Sequence, residues 1–367
     1  MLSFPFCMAQ DGLVGDISSV FELYAQDKLF QAARALRRVE AGHSNSQEVH
    51  GHRIENSADA RIQAYAHSRA LDAAHCFSHL ESIRSDVLEV EETLQRMQLG
   101  GARKDKWHKC FDEKTGSELK VYYQEESLGH GEAALHSLLV EGVAHTPILA
   151  LASIIYETDL YSTLFWFVAE SQLIQHPQPT RKMVYSRFSA PWPLADRDAC
   201  MLGFAVDGLD EDGLLFINIR DARTTDRCKE GRPLSVPSFL EPRNPQKHDA
   251  VRMNITGGIE LKAMGPNSTR LRMYGNVNPH LDRVPKSLIN WLSRSLCRVG
   301  FHVLEDKASA IASLPHASRM RHDSVYKWLA RRLHEAGIDP DALAFLKDTG
   351  ANLPIDFKSD VEEVAGL

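Results

Sequence analysis

Apolar residues in the first hundred positions recur with helical spacing. Val20, Phe21, Leu23, Tyr24, Leu29, Phe30, Ala33, Leu36 and Val39 share one stripe over 17–40, and Ile62, Tyr65, Leu71, Phe77, Leu80, Ile83, Val87, Leu88 and Leu94 share another over 58–97. The polar, glycine-bearing stretch 42–56 separates them, so the pattern predicts two antiparallel helices. At Trp107 the period changes to two. Strands are predicted at 107–112, 118–124, 135–144, 182–188, 198–206, 214–220, 250–264 and 269–277. Leu215, Ile217 and Ile219 alternate with Asn218 and Arg220, and Val251, Met253 and Ile255 with Arg252 and Asn254, so one sheet face is apolar and the other wet. The stretch 199–206 is apolar on both sides and needs a cover, for which the N-terminal helices are the candidates.

Helices return at Thr146-Pro147, read as cap and first turn, then over 160–169, and at Val284-Pro285. The last of these carries Leu288, Ile289, Trp291, Leu292, Leu296, Val299, Val303 and Leu304 on its buried side. A further helix is expected over 323–336, before an acidic tail. The expected fold class is α+β: a curved antiparallel sheet gripping one long closing helix. Its divisions are a helical region (1–99), the sheet domain (105–313) and a C-terminal helical extension with the tail (314–367).

A chain of 367 residues is long enough to bury a large core. Its net charge of -7 argues against a general nucleic-acid surface and against charge-driven docking on acidic membranes. Six cysteines without a C-x-x-C pair read as reduced thiols rather than a disulfide framework. The start has neither a basic segment nor a long apolar one, and the longest apolar run, 147–156, is too short to span a bilayer. A cytoplasmic protein, with peripheral membrane contact as an option, is the expectation.

Sharper chemistry finds little support in the motifs. His75 and His79 share a helix face, but no carboxylate completes a metal site with them, and His50 and His52 lie in a polar loop. Gly129-His-Gly-Glu-Ala-Ala134 reads as a turn, because no strand–helix unit surrounds it. Arg197-Asp198, at a strand entry, reads as a structural ion pair. Arg319, Arg321, Lys327, Trp328, Arg331 and Arg332 form a basic–aromatic cluster, read as a solvated helix face. No catalytic residue, metal or cofactor is assigned.

The order of elements resembles a START lipid-binding domain over about 107–313. The residues that carry this are Arg197-Asp198 entering a strand, the Asp212-Gly213 turn, Val251-Arg252, Asn290-Trp291 after Val284-Pro285, and Glu157-Thr-Asp-Leu-Tyr161. The resemblance implies a helix-grip fold with one internal cavity for a single lipid, a mouth near 280–284, and no catalysis. Sterol-carrying members keep a buried Arg and an acidic partner. Gly203 and Val184 stand at the aligned positions here, so sterol specificity is not carried over.

Read from the residues, the cavity wall is Met201, Gly203, Leu215, Ile217, Met253, Met273, Leu288, Trp291 and Leu292, with the methionines as adaptable surface and Gly203 as space. The expected function is lipid binding or transfer, with transient membrane contact and an N-terminal region able to meet a protein partner. Two rivals stand beside it: an interaction scaffold with a collapsed cavity, and a hydrolase or cyclase on the same fold.

Overall fold

The computed structural model describes residues 17–41, 58–69, 71–98, 107–126, 135–190, 194–229, 232–234, 250–278, 286–339 and 342, with backbone alone at 58–61, 64 and 286–294. Ten strands make one sheet: β1 (His108–Asp112), β2 (Lys120–Glu126), β3 (Leu135–Ala144), β4 (Val168–Gln178), β5 (Arg181–Phe188), β6 (Asp196–Gly208), β7 (Leu214–Asp221), β8 (Ala250–Arg252), β9 (Asn254–Gly265) and β10 (Ser268–Asn278). Their order is β1-β2-β3-β10-β9-β7-β6-β5-β4, antiparallel throughout, with β8 joined in parallel to β6 off that path.

Alternation along the strands creates two apolar faces rather than one. Leu139, Phe204, Val206, Phe216 and Tyr274 point outward and are buried beneath the N-terminal helices. These are α1 (helical over 17–25), α2 (Leu29–Ala41), α3 (Ala58–Ser68) and α4 (Ala73–Arg96). The expected cover for 199–206 is therefore present at Phe204 and Val206. Cys200 and Leu202 instead pack in a small separate cluster with Met183.

Each expected N-terminal helix is two. The first breaks at Asp27, whose φ of 64° is left-handed, a conformation that ends a helix. The break docks the pair on the sheet. The Asp27 carboxylate accepts from Thr180 Oγ1 at 2.6 Å and from Lys229, and its carbonyl accepts from the Asp207 amide at 2.9 Å. The second breaks before Asp72, which caps α4 by accepting from the Ala74 amide at 3.1 Å. Between α4 and the sheet lies a buried ion pair, Arg181 with Asp86. Tyr24 Oη donates to the same carboxylate, and the Arg181 guanidinium lies 4.5 Å from the Phe204 ring centroid. A buried charge is tolerated only with such partners.

The inner face carries Val140, Leu215, Leu261 and Leu271. Against it lies α5 (Ile148–Tyr156), apolar on all sides and buried from Ile148 to Ile155, as a helix with no polar face must be. Thr146 does not cap it. Pro147 holds the cap position without a side-chain bond, while the Thr146 carbonyl accepts from Thr269 Oγ1 at 2.8 Å. The expected helix over 160–169 is one turn, α6 (Tyr161–Leu164), and the chain enters β4 at Val168. The expected strand 250–264 is interrupted at Met253, between β8 and β9.

The closing helix α7 (Lys286–Ser309) packs on α5, β2 and β3. Phe301, fully buried, lies on Gly142, where a Cβ would come within 2.8 Å of the ring. After it come α8 (Pro315–His322), which the pattern missed, and α9 (Ser324–Glu335), capped by Asp323 on the Val325 amide at 3.0 Å. Met320, Tyr326, Leu329 and Leu333 bury themselves in the same core as α5. The architecture is the expected α+β helix grip with helices added to the outer face. No described helix is long and apolar enough to cross a membrane.

Candidate functional site

Residues paired across antiparallel strands share a face, so the inner surface is organised in rows that run across the strands. The first row, Leu215, Leu261, Leu271 and Gly142, is closed by Phe301 and belongs to the core. The second, Ala205, Ile217, Ile259, Met273 and Val140, is half-buried at all but Val140. The third runs Lys182, Gly203, Ile219, Gly257, Gly275, Leu138 and Tyr123. Three of its seven positions lack a side chain. Among the described residues, a Cβ built on Gly275 would meet nothing within 4 Å, and one on Gly203 only the Asn218 carbonyl at 3.8 Å. Gly257 serves a different need, since a Cβ there would run into the Tyr274 carbonyl of the neighbouring strand. Beyond this row, Met201 and Val184 form a pair on the same face.

The structure thus brings together five of the residues picked from sequence: Met201, Gly203, Ile217 and Met273 around the open row, and Leu215 in the closed one. Met253 is buried at the β8–β9 junction, its amide donating to the Asp198 carbonyl at 2.7 Å. Leu288, Trp291 and Leu292 lie in the first half of α7, where the side chains are outside the described residues. Ile259, Gly275, Lys182 and Tyr123 were missed. Continuing the period of two along each strand would have found Ile259, and glycine inside a strand is a known mark of close approach or space. Their alignment in one row depends on register, which no local pattern states.

Asp198 finds a partner that the sequence reading did not give it. Arg252, on the parallel strand β8, donates Nε and Nη2 to its two carboxylate oxygens at 2.7 and 3.2 Å, and Tyr185 Oη donates at 3.2 Å. Arg197, its neighbour in sequence, donates to the Ala195 carbonyl.

Polar groups meet the inner face at two margins. At the β2–β3 end, Tyr123 Oη and His136 Nδ1 are 2.8 Å apart, and burial pushes the Tyr123 hydroxyl up to about 12. At the β5 end, Lys182 Nζ donates to the Tyr156 carbonyl at 3.1 Å and sits 3.2 Å from the centroid of the Tyr156 ring. Burial lowers the Lys182 ammonium to about 8, against the pull of Glu157, Asp159 and Asp323. Behind it, buried Glu157 accepts from Arg319 and, at 2.6 Å, from Tyr326 Oη, while Asp159 accepts from Arg319 at 2.7 and 2.8 Å. Glu157-Thr-Asp-Leu-Tyr161 therefore anchors the C-terminal extension, and Arg319 of the basic cluster is engaged rather than solvated. His316, fully buried nearby, has no hydrogen-bond partner on either ring nitrogen, and burial lowers its basicity.

The outer face offers a contrasting groove of about 320 Å³ between α4 and the sheet. Its charges answer one another: Arg220 and Arg223 with Glu89 at 2.7 and 2.9 Å, and Arg96 with Glu92 at 2.7 Å. On α4, His79 stacks on Phe21 at 4.5 Å, with His75 6.3 Å away. His50, His52 and the turn over 129–134 lie outside the described residues.

No protein-family model and no curated protein matches the sequence. Solved structures similar to it include human StAR-related lipid transfer protein 5, at 15% identity over 63% of this chain and 98% of that one, with a TM-score of 0.46. Human STARD10 is similar at 16% identity over 59% of this chain and 77% of that one, with a TM-score of 0.45. An aromatase/cyclase, Zhui from Streptomyces, follows at 6% identity over 48% and 94%, with a TM-score of 0.31. These values name neighbours of the fold. The reading of the site rests on the rows described above.

Proposed function

We propose that this protein binds one hydrophobic or amphipathic lipid between the inner face of its sheet and the first half of α7. The observation that carries the reading is the third row: Gly203 and Gly275 leave open space where strand residues would project, between half-buried Ile217, Ile259 and Met273 on one side and Met201 on the other. Binding is then driven by burial of apolar ligand surface, with polar groups at the margins choosing the head. Leu288, Trp291, Leu292 and Met253 complete the wall in this proposal, which assigns no catalytic residue. Release and uptake involve transient contact with a membrane surface, and the similar human lipid transfer proteins are consistent with that role. A scaffold with a collapsed interior would set bulky side chains against Gly203 and Gly275, and among the described residues none does so.

Native mass spectrometry of the purified protein, followed by organic extraction, tests the reading. A stoichiometric lipid is the expected result. An apo mass that persists after incubation with mixed liposomes overturns it. The Gly275→Leu variant, which fills the row, is expected to lose the lipid and keep its fold.

A further inference from the structure

The third row is closed at one end by an amine. Lys182 is paired across the ladder with Gly203, so its side chain rises from the same face, beside the open strip. Strands lie about 4.8 Å apart, so the six steps from β5 to β2 make a row on the order of 30 Å long, with Lys182 at one end, Tyr123 at the other and Ile219 and Leu138 as its apolar side chains.

The ammonium at that end is short of a counterion. Among the described residues its contacts are one backbone carbonyl and one aromatic ring, both of Tyr156. The groups that face it from the surrounding elements are Glu157 and Asp159 after α5, Arg319 on α8, Asp323 before α9 and His176 on β4. Glu157 and Asp159 are held by Arg319, Asp323 caps α9, and none forms an ion pair with Lys182. The carbonyl of a helix C-terminus and a ring face hold a cation in place without neutralising it. A half-buried charge of this kind gains most from an anion delivered into the same dry space.

The geometry points to a single-chain lipid acid as the ligand: its carboxylate pairs with Lys182 Nζ, and its chain lies across the strands along Gly203, Gly257 and Gly275. This rests on the cavity reading and adds to it the chemical class of the head. A narrow strip framed by Ile217, Ile259, Met273 and Met201 suits one chain rather than two. The amine, half-protonated near pH 8, is cationic at neutral pH, where a carboxylate is charged.

The test compares two probes with one chain and different heads, oleate and oleyl alcohol, each below its aggregation concentration. Affinities are measured by calorimetry on the full chain and on Lys182→Met and Lys182→Arg. Lys182→Met keeps the apolar stem and removes the charge. It is expected to weaken oleate by about tenfold to a hundredfold, the range of one charge-assisted hydrogen bond, and to leave oleyl alcohol within about twofold. Lys182→Arg is expected to restore most of the oleate affinity. Equal loss of both probes in Lys182→Met, or no loss of either, overturns the head assignment while the cavity reading stands. If the unaltered protein binds neither probe and carries no extractable lipid, both fall together. Thermal unfolding of each variant separates lost binding from lost fold.

Discussion

The two faces of the one sheet are built to different ends. On the outer face a Cβ at Gly258 would strike Phe216 at 2.5 Å and Thr93 at 2.8 Å, so α4 rests against bare backbone. On the inner face a Cβ at Gly275 would meet no described atom within 4 Å. Both positions are glycine in mid-strand, yet one lets a helix approach and the other is uncrowded by any described residue. The polar groups follow the same division. Outside, charges are matched and sealed between layers, as in Arg181 with Asp86 and Arg220 with Glu89. Inside, Lys182 keeps an unneutralised charge beside an apolar strip. Close packing on one side and, in the proposed reading, retained volume on the other separate what holds the fold from what the fold offers.

The sharpest break of this contrast is at the buried outer pair. Asp86→Ala leaves the Arg181 guanidinium without its carboxylate and is expected to cost about 3–5 kcal/mol in chemical denaturation, while oleate binding by the folded fraction persists. Next comes the pair of glycines. Gly258→Val is expected to destabilise by several kcal/mol through overpacking against Phe216, whereas Gly275→Val costs under about 1 kcal/mol and abolishes lipid uptake. Equal stability loss at the two would erase the distinction between the faces.

A smaller effect is expected in the C-terminal extension. His316 is buried neutral, its folded pKa below the unfolded value of about 6.5, so the unfolded chain takes up the proton first. Stability held above about pH 6.5 is lost as pH falls through and below it, by about 1.4 kcal/mol per unit of depression, and His316→Phe flattens that slope in urea titrations. At the bottom of the scale, Arg37→Ala removes an exposed pair with Glu91 and is expected to shift stability by under about 1 kcal/mol, fading with salt.

Much of this was legible in the sequence because periodicity states which residues share a face. The strand alternation over 214–220 and 269–277, the change of period at Trp107 and the long closing helix all follow from it. What escaped has physical reasons. The break at Asp27 depends on tertiary partners, Thr180 and Lys229, that pay for a left-handed residue. β4 is an edge strand with register shifts near Val168, Leu173 and Gln175, so no clean alternation marks it. Arg252 is 54 residues from Asp198, and only a parallel pairing brings them together. The open row was partly visible, through Gly203 and through Ile217 and Met273 beside it. Gly275 and Lys182 join it only once the register of six strand pairs is fixed.

The turn after β6 gathers both ends of the described chain. Asp207 and Asp210 receive Arg332 from α9 at 2.6 and 2.8 Å, while Asp210 and Glu211 receive Lys28 at 3.0 Å and Arg34 at 2.5 Å from the α2 region. These partners are separated by more than a hundred residues on either side, so their closure is among the costliest loops in the molecule. Contacts of that range are slow to form. The hairpin therefore acts as a clasp on both helical regions, and synthesis of α9 must be finished before it can close. Trimming the N-terminal side would release Asp210 and Glu211 and trimming the C-terminal side Asp207 and Asp210, so the two truncations share the loss at Asp210.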